Sequence, residues 1–173
     1  MKKIDLKKHI RSIPDFPKPG ILFKDITTLL MHKKAFKHAV NTLAAKFKGK
    51  KIDKIVAVEA RGFILGGAIA HKLGAGFVPV RKKGKLPWKT DSATYALEYG
   101  TDTLEMHHDA ITPGEKILIV DDLLATGGTV KAVTELVERF RGKIIGIAFL
   151  IELKDLKGKE KLKGYPIYSL IKY

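Results

Sequence analysis

Cysteine is absent from the 173-residue sequence, and this absence removes several kinds of chemistry at once. Without cysteine there is no disulfide framework, no thiolate zinc site and no cysteine nucleophile. The sequence also lacks any apolar run near the roughly 18 residues that a membrane-spanning helix needs, and its charged start, Met1 to Lys8, leads into no apolar stretch. We therefore expect a soluble, cytoplasmic protein with no membrane partner.

Acidic residues are scarce relative to basic ones, which leaves a formal net charge of +15. The imbalance is concentrated in residues 1–50, which hold 13 basic and 3 acidic side chains. Such a segment could attract nucleic acid or a polyanionic small molecule. Its lysines, however, follow an amphipathic pattern and are not interleaved with aromatic residues for base stacking. We expect a solvated lysine face and no nucleic-acid partner.

The hydrophobic pattern predicts two helices in the first 50 residues. The first carries Leu6, Ile10 and Ile13 on one face and stops before Pro14, because the residue before a proline disfavours helical geometry. The second is predicted over residues 36–47, where apolar residues recur at helical spacing and lysines occupy the opposite face.

Apolar runs alternate with helical patterns in the rest of the chain. The runs cover residues 55–58, 77–80, 117–120 and 144–151, and the helical patterns cover residues 62–73 and 129–140. Three of the runs are continuous, which is typical of strands buried on both faces of a parallel sheet. The repeated order of strand, helix and strand predicts an α/β fold, in a single domain of residues 1–173.

Residues 82–112 interrupt this alternation. Apolar residues alternate with others from Ala93 to Tyr99, Gly100-Thr101-Asp102 supplies a turn, and the alternation resumes at Leu104. The pattern predicts an antiparallel hairpin inserted between sheet strands. A hairpin that projects into solvent is a candidate for a mobile lid.

The most informative segment is the apolar run 117–120, which is followed by Asp121, Asp122 and a loop of small residues. The loop Thr126-Gly127-Gly128-Thr129 combines unobstructed backbone N–H groups, two hydroxyls and a helix N-terminus, which favour a phosphate dianion. The two carboxylates could accept hydrogen bonds from a ribose whose phosphate lies in that loop. A lone Thr-Gly-Gly-Thr also fits an ordinary helix cap. Neither a Gly-x-Gly-x-x-Gly nor a Gly-Lys-Thr loop is present, so dinucleotide and triphosphate cofactors lose support.

The whole string Val-Asp-Asp-Leu-Leu-Ala-Thr-Gly-Gly-Thr, residues 120–129, resembles the phosphoribosyl-pyrophosphate motif of the type I phosphoribosyltransferases, in the form found in their adenine-specific members. Further segments match that family in order and approximate spacing: residues 17–26, 59–63, 81–87, 95–100 and 156–162. The resemblance covers nearly the full chain. It implies a parallel sheet flanked by helices, with an N-terminal helix and purine-binding hood over residues 1–33 and a flexible β-hairpin lid over residues 82–112.

By this resemblance, the protein transfers the phosphoribosyl group of 5-phosphoribosyl-1-pyrophosphate (PRPP) to adenine, giving AMP and pyrophosphate in purine salvage. The resemblance also implies Mg²⁺, held mainly by substrate oxygens and water rather than by protein ligands, and a homodimer. Asp121 and Asp122 are expected to bind the ribose hydroxyls. The 5-phosphate is expected to bind to Ala125, Thr126, Gly127, Gly128 and Thr129.

Five residues are expected to act on the leaving group or in the lid. Arg61 matches the arginine of the family's pyrophosphate loop, and Lys82 and Lys85 lie at the base of the lid, where cations would stabilise the leaving pyrophosphate. Glu98 is expected to act as acid or base near the imidazole edge of the purine, and Tyr99 to hold the closed lid. A surface ion pair or a solvated side chain is the plain alternative for the charged residues.

The purine is expected to stack on Phe23, with backbone groups of Leu22 reading its amine edge and Leu153 forming the opposite wall. Lys24 departs from the arginine that is common in the family, and a point charge does not replace a planar fork, so the contact of residue 24 is open. Trp88 is a second departure, and a lid contact and an oligomer interface are both open for it.

Three other functions fit part of the sequence. Phosphoribosyltransferases for 6-oxopurines share the phosphate loop but carry an acidic residue where Ala125 stands. DNA-binding regulators related to this family carry an added winged-helix domain, for which residues 1–50 are too short. A basic RNA-binding domain explains the charge but not the paired aspartates and the glycine loop.

Overall fold

The structure is a computed structural model, and it describes residues 4–96 and 101–173. The strands are β1 (Arg11–Ile13), β2 (Phe23–Asp25), β3 (Lys54–Val58), β4 (Gly76–Lys82), β5 (Thr90–Ala96), β6 (Thr101–His107), β7 (Lys116–Leu124), β8 (Lys143–Glu152) and β9 (Ile167–Lys172). The α-helices are α1 (Thr27–Met31), α2 (Lys33–Phe47), α3 (Arg61–Leu73) and α4 (Gly128–Arg139). Short 3-10 helices cover Leu6–His9, Lys154–Leu156 and Gly158–Leu162.

The main sheet has seven strands in the order β5-β6-β4-β3-β7-β8-β9. In sheet order, the strands β4, β3, β7, β8 and β9 are parallel to their neighbours, whereas β6 is antiparallel to both β4 and β5. The predicted α/β fold, a largely parallel sheet flanked by helices, is confirmed. Strand β9, at the edge beside β8, was not predicted, because its alternating burial leaves no continuous apolar run.

Two apolar cores lie on the two faces of the sheet, because successive side chains of a strand point to opposite sides. On one face, Ile55 of β3 and Leu118 of β7 pack with α2 and α3. On the other face, Val56 and Ile119 pack with α4 and the β5–β6 hairpin. Both cores end at the carboxyl edge of the sheet, so polar residues that follow β3 and β7 are presented there on a rigid base.

The N-terminal helix prediction is wrong beyond residue 9. The helical segment is a single 3-10 turn, Leu6–His9, and Arg11–Ile13 forms strand β1, which pairs antiparallel with β2. Ile13 precedes Pro14, and this position favours extended geometry, so the strand satisfies the same local constraint without a longer helix. The second predicted helix is confirmed as α2, which begins after His32 and buries the predicted apolar stripe.

The predicted hairpin is present as β5 and β6, but its base belongs to the main sheet. Thr101 and Asp102 lie in β6 rather than in a turn, since Ala96 pairs with Thr101. Leu104 and Met106 are fully buried, because β6 pairs with β4 and closes one of the cores. The predicted hairpin insertion is confirmed, and this part of it packs into the core instead of projecting into solvent. A lid over residues 82–112 stays a prediction. No helix in residues 4–96 and 101–173 has the length and hydropathy to cross a membrane.

Candidate active site

A cleft of about 420 Å³ opens at the carboxyl edge of the sheet, between β3 and β7. The chain leaves β3 through α3 towards β4 on one side, and leaves β7 through α4 towards β8 on the other. Strand order therefore reverses between β3 and β7, and ligands of open α/β sheets bind in the crevice at such a reversal.

The loop after β7 forms the floor of the cleft with Ala125, Thr126, Gly127 and Thr129. Gly127 adopts a left-handed backbone with φ of +80°, and a Cβ at this position would collide with the carbonyl oxygen of Gly158. Among the described residues, no side chain caps the start of α4, which lies beside the cleft-lining residues Gly127 and Thr129, so its first N–H groups are left without a side-chain acceptor. These N–H groups can bind an anion.

Asp121 and Asp122 lie near the carboxyl end of β7 and are both buried. The backbone N–H of Asp122 donates a 2.8 Å hydrogen bond to Oδ1 of Asp121. Burial raises the pKa of Asp121 well above its usual value, and the Asp122 charge raises it further. Burial also raises the pKa of Asp122, although the Arg61 charge works against this. The pair therefore favours ligands that donate protons or carry positive charge.

Arg61, the first residue of α3, connects the cleft to the N-terminal hairpin. Its Nε lies 2.8 Å from Oδ2 of Asp122, and its guanidinium carbon lies 5.1 Å from the centre of the Phe23 ring. The Arg61 contact lacks hydrogen-bond geometry, so Oδ2 of Asp122 is buried without a hydrogen-bond partner in the described part of the chain. A buried acceptor of this kind is costly unless a ligand or water satisfies it.

Glu59, which follows β3, organises the opposite side of the cleft. Its carboxylate accepts hydrogen bonds from Nε and Nη2 of Arg81, at 3.0 and 2.8 Å, and from the backbone N–H of Lys82 at 2.7 Å. Burial works to raise the pKa of Glu59, but the hydrogen bonds from Lys82 and Arg81 outweigh it and lower the pKa. The Glu59–Ala60 peptide bond is cis. Glu59 therefore holds the end of β4 and the start of α3 together.

Lys82 enters the cleft from β4 and pairs with Asp102 of β6 at 3.0 Å. The hydrogen bond that Lys82 donates to Asp102 raises the pKa of Lys82 and lowers the pKa of Asp102. Both side chains are therefore charged at neutral pH. The Lys82 side chain is 64 % exposed, so the pair is weakly held and an anionic ligand can exchange with Asp102.

The predicted purine-binding residues lie outside this cleft, on the N-terminal hairpin and after β8. Phe23 is half-buried and meets the edge of Phe16 at 5.1 Å between ring centres, while Leu22 is half-exposed. Leu153 follows β8 and donates its N–H to the carbonyl of Leu124 at the cleft floor. Phe23 and Leu153 thus approach the cleft from two separate elements.

The structure brings together half of the residues predicted from the sequence. The predicted residues that line the cleft are Arg61, Lys82, Asp121, Asp122, Ala125, Thr126, Gly127 and Thr129. Those outside its lining are Leu22, Phe23, Lys24, Lys85, Gly128 and Leu153. Glu98 and Tyr99 lie outside the described residues.

Sequence reasoning missed three polar cleft residues, Glu59, Tyr95 and Asp102. Glu59 stands directly before Arg61 and Gly62 in a segment that had already matched the family, so its position was a usable signal. Asp102 was assigned to a turn, and its contact with Lys82 depends on the register of β6 against β4, which no local pattern reports.

The donor set in the cleft fits a cation that is held mainly by its substrate. Among the described residues, no three carboxylate or imidazole side chains surround a common point. Asp121 and Asp122 are nevertheless buried together, and Oδ2 of Asp122 has an ion pair with Arg61 but no hydrogen bond among the described residues. Mg²⁺ commonly uses one or two carboxylates with substrate phosphates and water.

Comparison with known proteins gives a consistent result. The family described as "Phosphoribosyl transferase domain" matches residues 27–172. An adenine phosphoribosyltransferase of Brachyspira hyodysenteriae is 58 % identical over 170 residues, which is 98 % of this chain and 100 % of that protein. The matched span includes the cleft residues from Glu59 to Val130.

Solved structures agree with this relationship. The adenine phosphoribosyltransferase of Thermoanaerobacter pseudethanolicus superposes with a TM-score of 0.95 and 56 % identity, over 98 % of each chain. The Saccharomyces cerevisiae enzyme, complexed with an imino-altritol bisphosphate and adenine, has a TM-score of 0.91 and 42 % identity over 96 % of each chain. The chain therefore belongs to the phosphoribosyltransferase family, and within it to the adenine phosphoribosyltransferases.

Proposed function

We propose that the chain transfers the phosphoribosyl group of PRPP to adenine in the cleft between β3 and β7. The observation that carries this assignment is the buried carboxylate pair, in which Oδ2 of Asp122 has an ion pair with Arg61 but no hydrogen bond among the described residues, beside a loop that starts α4 without a side-chain cap. A ribose 5-phosphate supplies hydroxyl donors for the carboxylates and an anion for the loop, so one ligand satisfies both.

The ribose and its phosphate are proposed to bind to β7 and the loop that follows it. Asp121 and Asp122 accept hydrogen bonds from the ribose hydroxyls. The loop residues Ala125, Thr126, Gly127, Gly128 and Thr129 surround the 5-phosphate with backbone N–H groups and two hydroxyls. Because these groups are held by the sheet and by α4, the sugar is oriented without much movement of the protein.

The pyrophosphate is proposed to leave towards Arg61 and Lys82, with Lys85 nearby. In the structure Lys82 is paired with Asp102, so pyrophosphate would replace the Asp102 carboxylate as the partner of Lys82. Negative charge on the pyrophosphate increases as the bond to the anomeric carbon breaks. The cations therefore stabilise the transition state more than the bound substrate.

The base is proposed to lie between Phe23 and Leu153, with backbone groups of Leu22 along its amine edge. The support is the position of these residues beside the cleft, together with the Saccharomyces cerevisiae complex, which contains adenine. N9 of adenine attacks the anomeric carbon as pyrophosphate departs. Glu98 is proposed to act as acid or base near the imidazole edge of the purine, and Tyr99 to hold the closed lid.

Mg²⁺ is the proposed cofactor, and it would neutralise part of the charge on the leaving pyrophosphate. Asp121 and Asp122 are the residues that would hold it, through water and the ribose hydroxyls. We further propose one domain of residues 1–173, with a hood over residues 1–33 and a lid within residues 82–112, a cytoplasmic location and a homodimer, as in the family resemblance.

The test is AMP formation from PRPP and Mg²⁺ with adenine, hypoxanthine or guanine, using Asp122→Asn as the site variant. We expect AMP from adenine alone, and a loss of about 100-fold in kcat/KM for PRPP in the variant. Asp109→Asn is the matched control and should retain activity, because Asp109 is exposed and lies beside Ala110, whose carbonyl accepts from Lys54 at the start of β3, at the edge of the sheet opposite the cleft. Equal use of the oxopurines, or an unaffected Asp122→Asn enzyme, would contradict the proposal.

A further inference from the structure

We infer that Tyr173 is a positioning residue for the base site, because it connects the hairpin that carries Phe23 to the segment that carries Leu153. This inference rests on the proposed base site between those two residues. Tyr173 itself lies outside the cleft lining and contacts neither substrate as proposed.

The Tyr173 ring is held against the back of the N-terminal hairpin by Lys24. The Nζ of Lys24 lies 4.2 Å from the ring centre and donates a 2.9 Å hydrogen bond to Oγ of Ser12. Ser12 and Lys24 are directly paired between β1 and β2. The Nζ of Lys7 also lies over the ring, at 5.0 Å. The Tyr173 ring therefore contacts two cations, one of which is fixed to both strands of the hairpin.

Phe23 and Lys24 are neighbours in β2, so their side chains point to opposite faces of the hairpin. Phe23 faces Arg61 on the cleft side, while Lys24 faces Tyr173 on the far side. Lys24 therefore fixes the tilt of β2 from the face opposite the cleft, and this tilt sets the position of the Phe23 ring. The Tyr173 ring is thus the contact of the Lys24 side chain, and this role of Lys24 needs no contact with the substrate.

The backbone of Tyr173 is bonded on both sides of Leu153. Its N–H donates to the carbonyl of Glu152 at 3.0 Å, and its carbonyl accepts from the N–H of Lys154 at 2.9 Å. Tyr173 is thus joined through its main chain to one wall of the base site and through its ring to the other. A change of the ring should alter the separation of the walls and leave the phosphate loop unchanged.

The experiment compares Tyr173→Leu with Tyr173→Phe. Leucine keeps the backbone bonds and much of the apolar bulk but removes the aromatic face, whereas phenylalanine keeps that face. We expect Tyr173→Leu to raise the KM for adenine about five-fold, with kcat and the KM for PRPP within about two-fold of wild type, and Tyr173→Phe to restore the adenine KM. Lys24→Gln should raise the adenine KM similarly, and the double variant no further.

The matched control is Tyr168→Leu. Tyr168 lies in β9, is half-buried, and has the Nζ of Lys46 from α2 at 5.3 Å from its ring centre. This variant should not change the adenine KM. The comparison separates the loss of any lysine–tyrosine contact from the loss of the contact between Lys24 and Tyr173.

An unchanged adenine KM in Tyr173→Leu would overturn the inference, and so would a parallel change in the KM of PRPP and in kcat. The proposed base site is tested separately by Phe23→Leu in the wild-type background. If Phe23→Leu left the adenine KM unchanged, the base site would fail and the inference with it. If Phe23→Leu raised that KM and Tyr173→Leu did not, the inference alone would fail.

Discussion

The proposed ribose-phosphate side of the site (residues 121–130) and the proposed base side (residues 11–25 with Leu153 and Tyr173) are built in different ways. The first is an extension of the central strand β7, with buried carboxylates and a glycine fitted against Gly158. The second is a two-stranded hairpin held by ring and cation contacts with partly exposed side chains. Under the proposed assignment, the ribose phosphate is therefore bound by the core of the sheet, and the purine base is bound by an attached hairpin.

The largest effect is expected from Gly127→Ala, on the rigid side. Its positive φ disfavours any side chain, and the added Cβ would collide with the carbonyl of Gly158. Displacement of the phosphate loop by about 1 Å should reduce kcat/KM for PRPP about 100-fold, measured by AMP formation at varied PRPP. Gly164→Ala is the control, since Gly164 also has positive φ but open space around it. A Gly127→Ala enzyme with nearly normal activity would show that this side is not rigid.

A second prediction concerns the free energy of unfolding, which the buried carboxylates lower. Because the folded pKa of Asp121 lies above its ordinary value of 3.8, the folded state binds the proton more tightly than the unfolded state. The free energy of unfolding therefore falls as the pH rises from about 4 through the folded pKa. Asp121→Asn lacks this loss, so at pH 8 it should be more stable than wild type, by on the order of 1 kcal/mol, and inactive.

Urea unfolding of both proteins at several pH values measures this difference. The advantage of Asp121→Asn should shrink as the pH falls towards 4. Asp155→Asn, an exposed position, should show no such trend. A variant that is less stable than wild type at pH 8 would show that Asp121 stabilises the folded state at that pH, which would contradict its raised pKa.

The smallest effect is expected on the exposed side of the cleft, from Asp102→Asn. The change frees Lys82 from its ion pair and lets the pKa of Lys82 return towards its ordinary value. An exposed pair of this kind contributes less than about 1 kcal/mol, so the KM for PRPP should fall about two- to three-fold. Asp91→Asn removes the Asp91–His108 pair on the same hairpin and is the control. A higher KM for PRPP would mean that Asp102 positions Lys82 rather than competing for it.

The same contrast explains which features could be predicted from the sequence. Strands β3, β7 and β8 are continuous apolar runs, and α2 is a regular stripe, so each is specified by its own residues. Strands β1 and β2 are three residues long and have no period to detect, and the predicted N-terminal helix was wrong there. Their existence depends on pairing with each other, which is a contact between distant residues.

By itself the sequence determined the α/β class, the phosphate loop with its paired aspartates, and the family to which the chain belongs. These features are local, because a motif of consecutive residues carries its own backbone geometry and chemistry. Tertiary structure alone decided that Lys82 pairs with Asp102, that Arg61 lies between Asp122 and Phe23, and that Lys24 faces Tyr173. These contacts join residues far apart in the chain, and only strand order and register place such residues within reach of each other.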